Sequence, residues 1–154
     1  MDDLKKKYSG LQKKFNLPKF EELDNAFSIK GIESNDDIER AIISKIIEKT
    51  EMYSKMLDSE ILQPDTSMAT MHEATFLTDQ DREKTKVIFA KVMKLNREAL
   101  LLSLKNYENW EKFVKRATKE WDGIRKELVP FYEKILKCWE TEQTVSEEEL
   151  KYFG

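Results

Sequence analysis

The sequence is poor in the residues that build tight turns, disulfides and histidine sites. It has one cysteine, one histidine, three prolines and four glycines among 154 residues. A single cysteine, Cys138, cannot form an intramolecular disulfide, and so few glycines and prolines cannot supply the turns that an all-β fold needs. The composition favours long helices around one core, with residues 1–154 forming a single domain.

The sequence also lacks long apolar runs. The longest, such as Ala99–Leu102, extend over a few residues, whereas a membrane-spanning helix needs about 20. The N-terminus, beginning Met1-Asp2-Asp3-Leu4-Lys5, has no apolar segment like that of a secretory signal. We therefore expect no contact with a membrane and a cytoplasmic location.

Charged residues, by contrast, are abundant and segregated. They make up 37% of the chain, with a formal net charge of −3, and aromatic residues make up 10%, which is more than disordered chains carry. Acidic groups are concentrated in residues 21–83 and in an acidic tail, residues 141–154, whereas residues 84–137 are rich in basic groups. Such blocks either pair inside the fold or leave a basic face for an anionic partner.

Apolar residues recur every three or four positions along most of the chain, which is the helical period. A short helical hairpin is predicted over residues 1–31, with Pro18 starting its second helix and Gly31 closing it in the left-handed conformation. Longer helices are predicted over residues 35–62, 78–105 and 110–140. The sequence thus predicts an all-α, antiparallel three- to four-helix bundle with a short N-terminal helical hairpin.

The ends of the long helices carry capping signals. Ser34 and Asp37 resemble a capping pair, and Thr78 precedes acidic residues in the first turn of the next helix. The clearest stripe runs through Pro130 without changing phase, so we expect either a kinked helix or two helices that meet there. An alternative single helix from Asp79 to Trp139 would be about 90 Å long and would suit a coiled coil. The stripe consists of Trp110, Val114, Ala117, Trp121, Ile124, Leu128, Phe131, Ile135 and Cys138.

No pattern of catalytic or ligand-binding residues is present. The glycines lie too far apart to form a phosphate-binding loop, and one histidine, His72, excludes a two-histidine zinc motif. A nucleophile pair of His72 with Cys138 is disfavoured, because Cys138 continues an apolar stripe and behaves there as an inert hydrophobe. We predict no catalytic residue, no cofactor and no metal ligand, and hence a protein that is not an enzyme.

The leading prediction is a non-enzymatic protein–protein interaction or assembly module with a protein partner. Its predicted contact segment is residues 63–77, which show no periodicity and exceed the usual 2–8 residues of a bundle connection. We expect its methionines to lie against the bundle end and to provide an adaptable surface, with the polar residues pointing outward. The predicted partner-binding residues are Asp65, Met68, Met71, His72 and Glu73. Three other methionines, Met52, Met56 and Met93, are predicted to fill the core.

An alternative prediction is an RNA- or ribosome-associated helical factor that uses the basic segment 105–126. Lysines and arginines there flank aromatic residues, and such a combination can neutralise phosphates and stack on bases. However, Trp110 and Trp121 occupy the core stripe, which favours burial. The predicted nucleic-acid contacts are Lys112, Lys115, Arg116 and Lys119. The apolar stripe of helix 110–140 can be buried against the other two long helices of the same chain, so a monomer is favoured over a homodimer.

Three stretches of sequence resemble small uncharacterised archaeal helical proteins. They are Phe15-Asn-Leu-Pro-Lys-Phe-Glu-Glu-Leu-Asp-Asn-Ala-Phe27, Leu62-Gln-Pro-Asp65 and Lys94-Leu-Asn-Arg-Glu-Ala-Leu-Leu101. Together with their surroundings they cover about half of the chain. The resemblance implies an archaeal cytoplasmic origin and carries no functional residue.

Overall fold

A computed structural model describes residues 1–33, 36–59 and 67–140. Within these ranges the regular structure is entirely helical, as predicted, and every helix is too short or too polar to cross a membrane. The helices are α1 (Asp2–Phe15), α2 (Phe20–Phe27), α3 (Ile38–Leu57), α4 (Met68–Phe76), α5 (Asp79–Leu104) and α6 (Trp110–Glu140), and a 3₁₀ turn, Ile29–Gly31, follows α2.

Cross-helix contacts set the directions of the three long helices. Arg40 of α3 lies over the Tyr107 ring and Thr50 bonds Asn96, so α3 and α5 are antiparallel. Three ion pairs likewise make α5 and α6 antiparallel, and α3 is therefore parallel to α6. The ion pairs join Asp81 to Lys134, Lys91 to Glu127 and Glu98 to Arg116.

The contact between α3 and α5 is the most extensive in the bundle. It buries the α3 isoleucines Ile42 and Ile46 against an apolar face of α5. A polar pair also lies inside it: the Asn96 Nδ2 atom donates to the Thr50 Oγ1 atom over 3.0 Å, and both side chains are fully buried. The hydroxyl proton of Thr50 and the amide oxygen of Asn96 also have partners, because Thr50 donates to the Ile46 backbone carbonyl and Arg97 donates to the Asn96 Oδ1 atom.

The N-terminal hairpin closes one side of this bundle. The Tyr8 hydroxyl of α1 donates to the Pro18 carbonyl over 2.6 Å, and its ring meets Phe20 of α2 edge to face. Burial raises the pKa of Tyr8. The closing residue of α2 is Ser28, with φ of 59°, and not Gly31, which lies in the 3₁₀ turn without a positive φ. The Gly31 prediction was wrong because a serine takes the left-handed position.

The boundaries of the long helices follow their caps. The α3 helix begins at Ile38, where the Asp37 carboxylate accepts from the Arg40 backbone, and its α-helical part runs to Leu57. Residues 60–62 of the predicted helix lie outside the described residues. Ser34 lies outside the described residues. The capping box of α5, formed by Thr78 with Asp81, is confirmed. Residues 105–109 form the predicted turn, so the single-helix alternative is wrong, and α6 runs through Pro130 as one continuous helix.

Two methionines of α3 lie elsewhere than predicted. Met52 and Met56 of α3 are exposed, because the apolar face of that helix is narrower than the sequence pattern indicates, whereas Met93 is half-buried. Leu104, at the end of α5, is also exposed. The predicted stripe of α6 is buried along its whole length, and Cys138 belongs to it.

Candidate interaction surface

The predicted contact segment contains a helix rather than an unpatterned loop. Its second half forms α4, which begins at Met68 and is capped by Ser67, whose hydroxyl accepts from the Thr70 backbone. Met68 is exposed and Met71 is half-buried. Asp65 lies outside the described residues.

His72 and Glu73 face the interior, which corrects the prediction that they point outward. They are 5% and 7% exposed, because α4 turns them towards the C-terminal end of α6. The His72 ring lies 4.7 Å from the Trp139 ring, and the Trp139 Nε1 atom donates to the Glu73 Oε1 atom over 2.8 Å. These polar side chains thus fasten α4 to α6, and the neighbouring Met68 remains at the surface.

A second apolar stripe on α6 was not recognised in the sequence. Val129, Tyr132, Leu136 and Trp139 follow one another at steps of three, four and three, which places them on one face of the helix. We call these four residues the outer stripe. Tyr132 is half-buried, whereas Val129, Leu136 and Trp139 are 50%, 57% and 46% exposed.

The outer stripe lies on the side of α6 that the N-terminal hairpin covers in the first half of the helix. There Phe15 of α1 meets Trp110, and Phe27 of α2 meets Trp121, which is 3% exposed. The hairpin ends at this level, so the same side of α6 is left to solvent further along. The sequence signal for it is the cluster of apolar residues outside the main stripe, such as Val129 and Leu136 beside Leu128 and Ile135.

The predicted nucleic-acid residues lie on the surface of α6, but they differ in their surroundings. Arg116 bridges Glu98 of α5 and Glu120 of its own helix, and the hydrogen bond that it donates to Glu98 raises the pKa of Arg116. Lys112 and Lys119 are exposed and Lys115 is half-exposed, and none of the three makes an ion pair with a described residue. The aromatic residues between them, Trp110, Phe113 and Trp121, are buried.

The described residues contain no cluster of three or more histidine, cysteine or carboxylate side chains that could hold a metal ion. A cavity of about 560 Å³ between α5 and α6 is lined by Val87, Ile88, Pro130 and Phe131, with Lys84, Lys126 and paired charges at its rim. One of those pairs joins Asp81 to Lys134, and hydrogen bonds from Lys134 and Thr78 lower the pKa of Asp81 to about 2.

Comparison with protein-family models, curated proteins and solved structures finds no match to this chain.

Proposed function

We propose that the protein is a non-enzymatic protein–protein interaction or assembly module that binds its partner through the outer stripe of α6. The observation that supports this function is the exposure of Val129, Leu136 and Trp139 along one helix face. Large apolar side chains that adjoin one another on a surface are typical of interaction sites. Met68 is also exposed, and it lies on α4, which packs against the same end of α6.

The proposal revises the predicted contact segment. His72 and Glu73 support the surface from beneath by fastening α4 under Trp139, so they act on the site as positioning residues. The partner-facing residues are instead Met68 and the exposed members of the outer stripe. A cytoplasmic location, an archaeal origin and a monomeric state remain predictions of the sequence.

Affinity capture from a lysate of the source organism tests this function. The Leu136→Glu variant places a charge in the outer stripe, and we expect it to lose a partner that the unchanged chain retains. Leu101→Glu is the matched control, because Leu101 lies on α5 and is 50% exposed, close to the 57% of Leu136. Equal capture by both variants would contradict the proposal.

A second candidate function, binding to RNA or to ribosomes, is supported by the three lysines of α6 that make no ion pair with a described residue. Lys112, Lys115 and Lys119 are spaced as neighbours on one helix face. If this function is correct, the chain shifts the mobility of RNA in a salt-sensitive manner. Changing the three lysines and Arg116 to glutamate removes that shift, whereas Leu136→Glu leaves it unchanged.

A further inference from the structure

A groove runs between α3 and α6, and one half of it is filled by α2. The α2 helix packs against both α3 and α6, with Leu23 fully buried and the Phe27 ring 5.9 Å from the Trp121 ring. Tyr53 of α3 approaches the same Trp121 ring, at 5.2 Å. In this half α2 therefore serves as the helix that covers the groove.

The groove continues past the end of α2 without a covering helix among the described residues. A cavity of about 200 Å³ lies there, beginning at Asn25 of α2. We call this part the open groove. Its further lining residues are Lys49 and Tyr53 of α3 and Trp121, Arg125, Leu128, Val129 and Tyr132 of α6.

The open groove has an apolar lining and two cationic side chains, Lys49 and Arg125. Tyr53, Leu128 and Val129 provide apolar lining. The Lys49 ammonium lies 6.0 Å from the centre of the Tyr53 ring and makes no ion pair with a described residue. Arg125 pairs with Asp122 over 2.8 Å on its own helix. A ligand that brings apolar side chains together with carboxylates would complement this lining.

The α2 helix shows what such a ligand looks like. Phe20, Leu23 and Phe27 lie at steps of three and four and are buried, whereas Glu21 and Glu22 are exposed. It is a short amphipathic helix with carboxylates beside its apolar face, and one of them, Glu22, lines a cavity together with Arg125 of α6. Because the open groove continues the same pair of helices, an occupant of the same kind fits it.

We propose that the open groove binds a short amphipathic helix of a partner protein, with large apolar residues at positions i, i+3 and i+7 and carboxylates that flank this apolar face. This inference rests on the proposed function and names the class of partner. Val129, which belongs to both the outer stripe and the open groove, joins the two surfaces. The carboxylates of the partner helix lie beside Lys49 and Arg125.

A labelled synthetic peptide with the sequence of residues 18–31 is the probe, and the full chain is titrated into it. We expect saturable binding that Val129→Glu weakens at least about tenfold, which corresponds to about 1.4 kcal/mol. Val87→Glu is the matched control, because Val87 is 56% exposed but lines the α5–α6 cavity instead. Binding also weakens with Lys49→Glu and with rising salt, because a cation–carboxylate contact is lost or screened.

A peptide in which the residues copied from Leu23 and Phe27 are both serine controls for non-specific attraction to charge. Loss of its binding supports the proposal. Binding that is equal for both peptides, or an effect of Val87→Glu as large as that of Val129→Glu, overturns it. Absence of saturable binding to the unchanged chain also overturns it.

Two other occupants give different outcomes. The sequence Glu148-Glu149-Leu150 with Phe153 resembles Glu21-Glu22-Leu23 with Phe27. A full chain with Leu150→Ser and Phe153→Ser that binds the peptide at least about tenfold more tightly would assign the groove to the chain's own C-terminal segment and overturn the partner proposal. A concentration-dependent dimer, seen by light scattering and abolished by Val129→Glu, would assign it to a second copy and likewise overturn it.

Failure of the groove and failure of the proposed function are distinguishable. If a partner is captured by the unchanged chain and by Lys49→Glu alike, but is lost with Leu136→Glu, the function stands and the open groove is not its site. If Leu136→Glu also leaves capture unchanged, the proposed function itself fails.

Discussion

The two halves of α6 carry similar apolar residues but meet different surroundings. In the first half, Trp110 and Trp121 lie under the N-terminal hairpin and are buried. In the second half, Val129, Leu136 and Trp139 are about half exposed, because the hairpin does not reach them. The comparison shows that the periodicity of one helix identifies its apolar faces, while the length of the neighbouring element decides which of them is covered.

The largest effect should come from the covered half. Trp121→Ala removes a ring that contacts Tyr53 and Phe27 and that is 3% exposed. We expect the free energy of unfolding to fall by about 3–5 kcal/mol, as is usual when a buried aromatic side chain is truncated. Urea unfolding followed by circular dichroism measures this, and a loss below about 1 kcal/mol would contradict burial.

The same truncation in the exposed half should cost less. Trp139→Ala removes a ring that is already nearly half exposed, so the loss of apolar burial is small. The substitution also removes the donor to the buried Glu73 carboxylate. We expect a loss of about 1–3 kcal/mol, which is the usual cost of a buried polar group without its partner. Trp139→Phe, which keeps a ring beside His72 but has no donor, separates the two contributions. A loss equal to that of Trp121→Ala would remove the contrast between the halves.

An ion pair ties the second half of α6 to α5, and it should contribute a smaller, pH-dependent amount. Asp81 caps α5 and pairs with Lys134, so Asp81→Asn should lower the free energy of unfolding near neutral pH by about 1 kcal/mol. The pKa of Asp81 is lowered to about 2 in the folded state, below an unfolded value of about 3.9.

The sign of this pH dependence follows from proton linkage. The unfolded chain binds the proton more tightly, so the contribution of Asp81 is present above about pH 4 and is lost as the pH falls through about 2. Unfolding curves of the unchanged chain and of Asp81→Asn should therefore converge over this range. A difference in the free energy of unfolding that stays constant down to pH 2 would show that the charge of Asp81 does not stabilise the fold.

The smallest effect is expected at Val129, the first residue of the outer stripe. Val129→Ser changes a side chain that is half exposed, and we expect the free energy of unfolding to change by less than about 0.5 kcal/mol. Thermal unfolding of the variant beside the unchanged chain measures it. A loss above about 1.5 kcal/mol would indicate that Val129 is covered in solution by another part of the molecule.

Much of the architecture could be predicted because it depends on local signals. The capping residues Thr78 and Asp81 indicate the start of α5. The apolar stripe from Trp110 to Cys138 keeps its helical phase through Pro130. Both signals lie within one turn or one helix face. The all-helical bundle and its N-terminal hairpin follow from such signals alone.

The candidate site was less accessible to prediction, because it depends on contacts between distant segments. The buried residues of α4 are Thr70, His72 and Glu73, so this helix has no apolar stripe to reveal it. The burial of His72 and Glu73 depends on Trp139, which lies far away in the sequence. Similarly, nothing within α6 indicates that α2 ends before Val129, and so its second apolar stripe could not be recognised as exposed.

The buried bond between Asn96 and Thr50 restricts how the bundle can assemble. Leucine and isoleucine side chains tolerate sliding of one helix along another, because any apolar neighbour serves them. An amide and a hydroxyl enclosed among them do not, since a shift of one turn would leave both without a partner in a hydrocarbon environment. The bond therefore fixes the register between α3 and α5, and with it the axial position of α3, which is one wall of the groove.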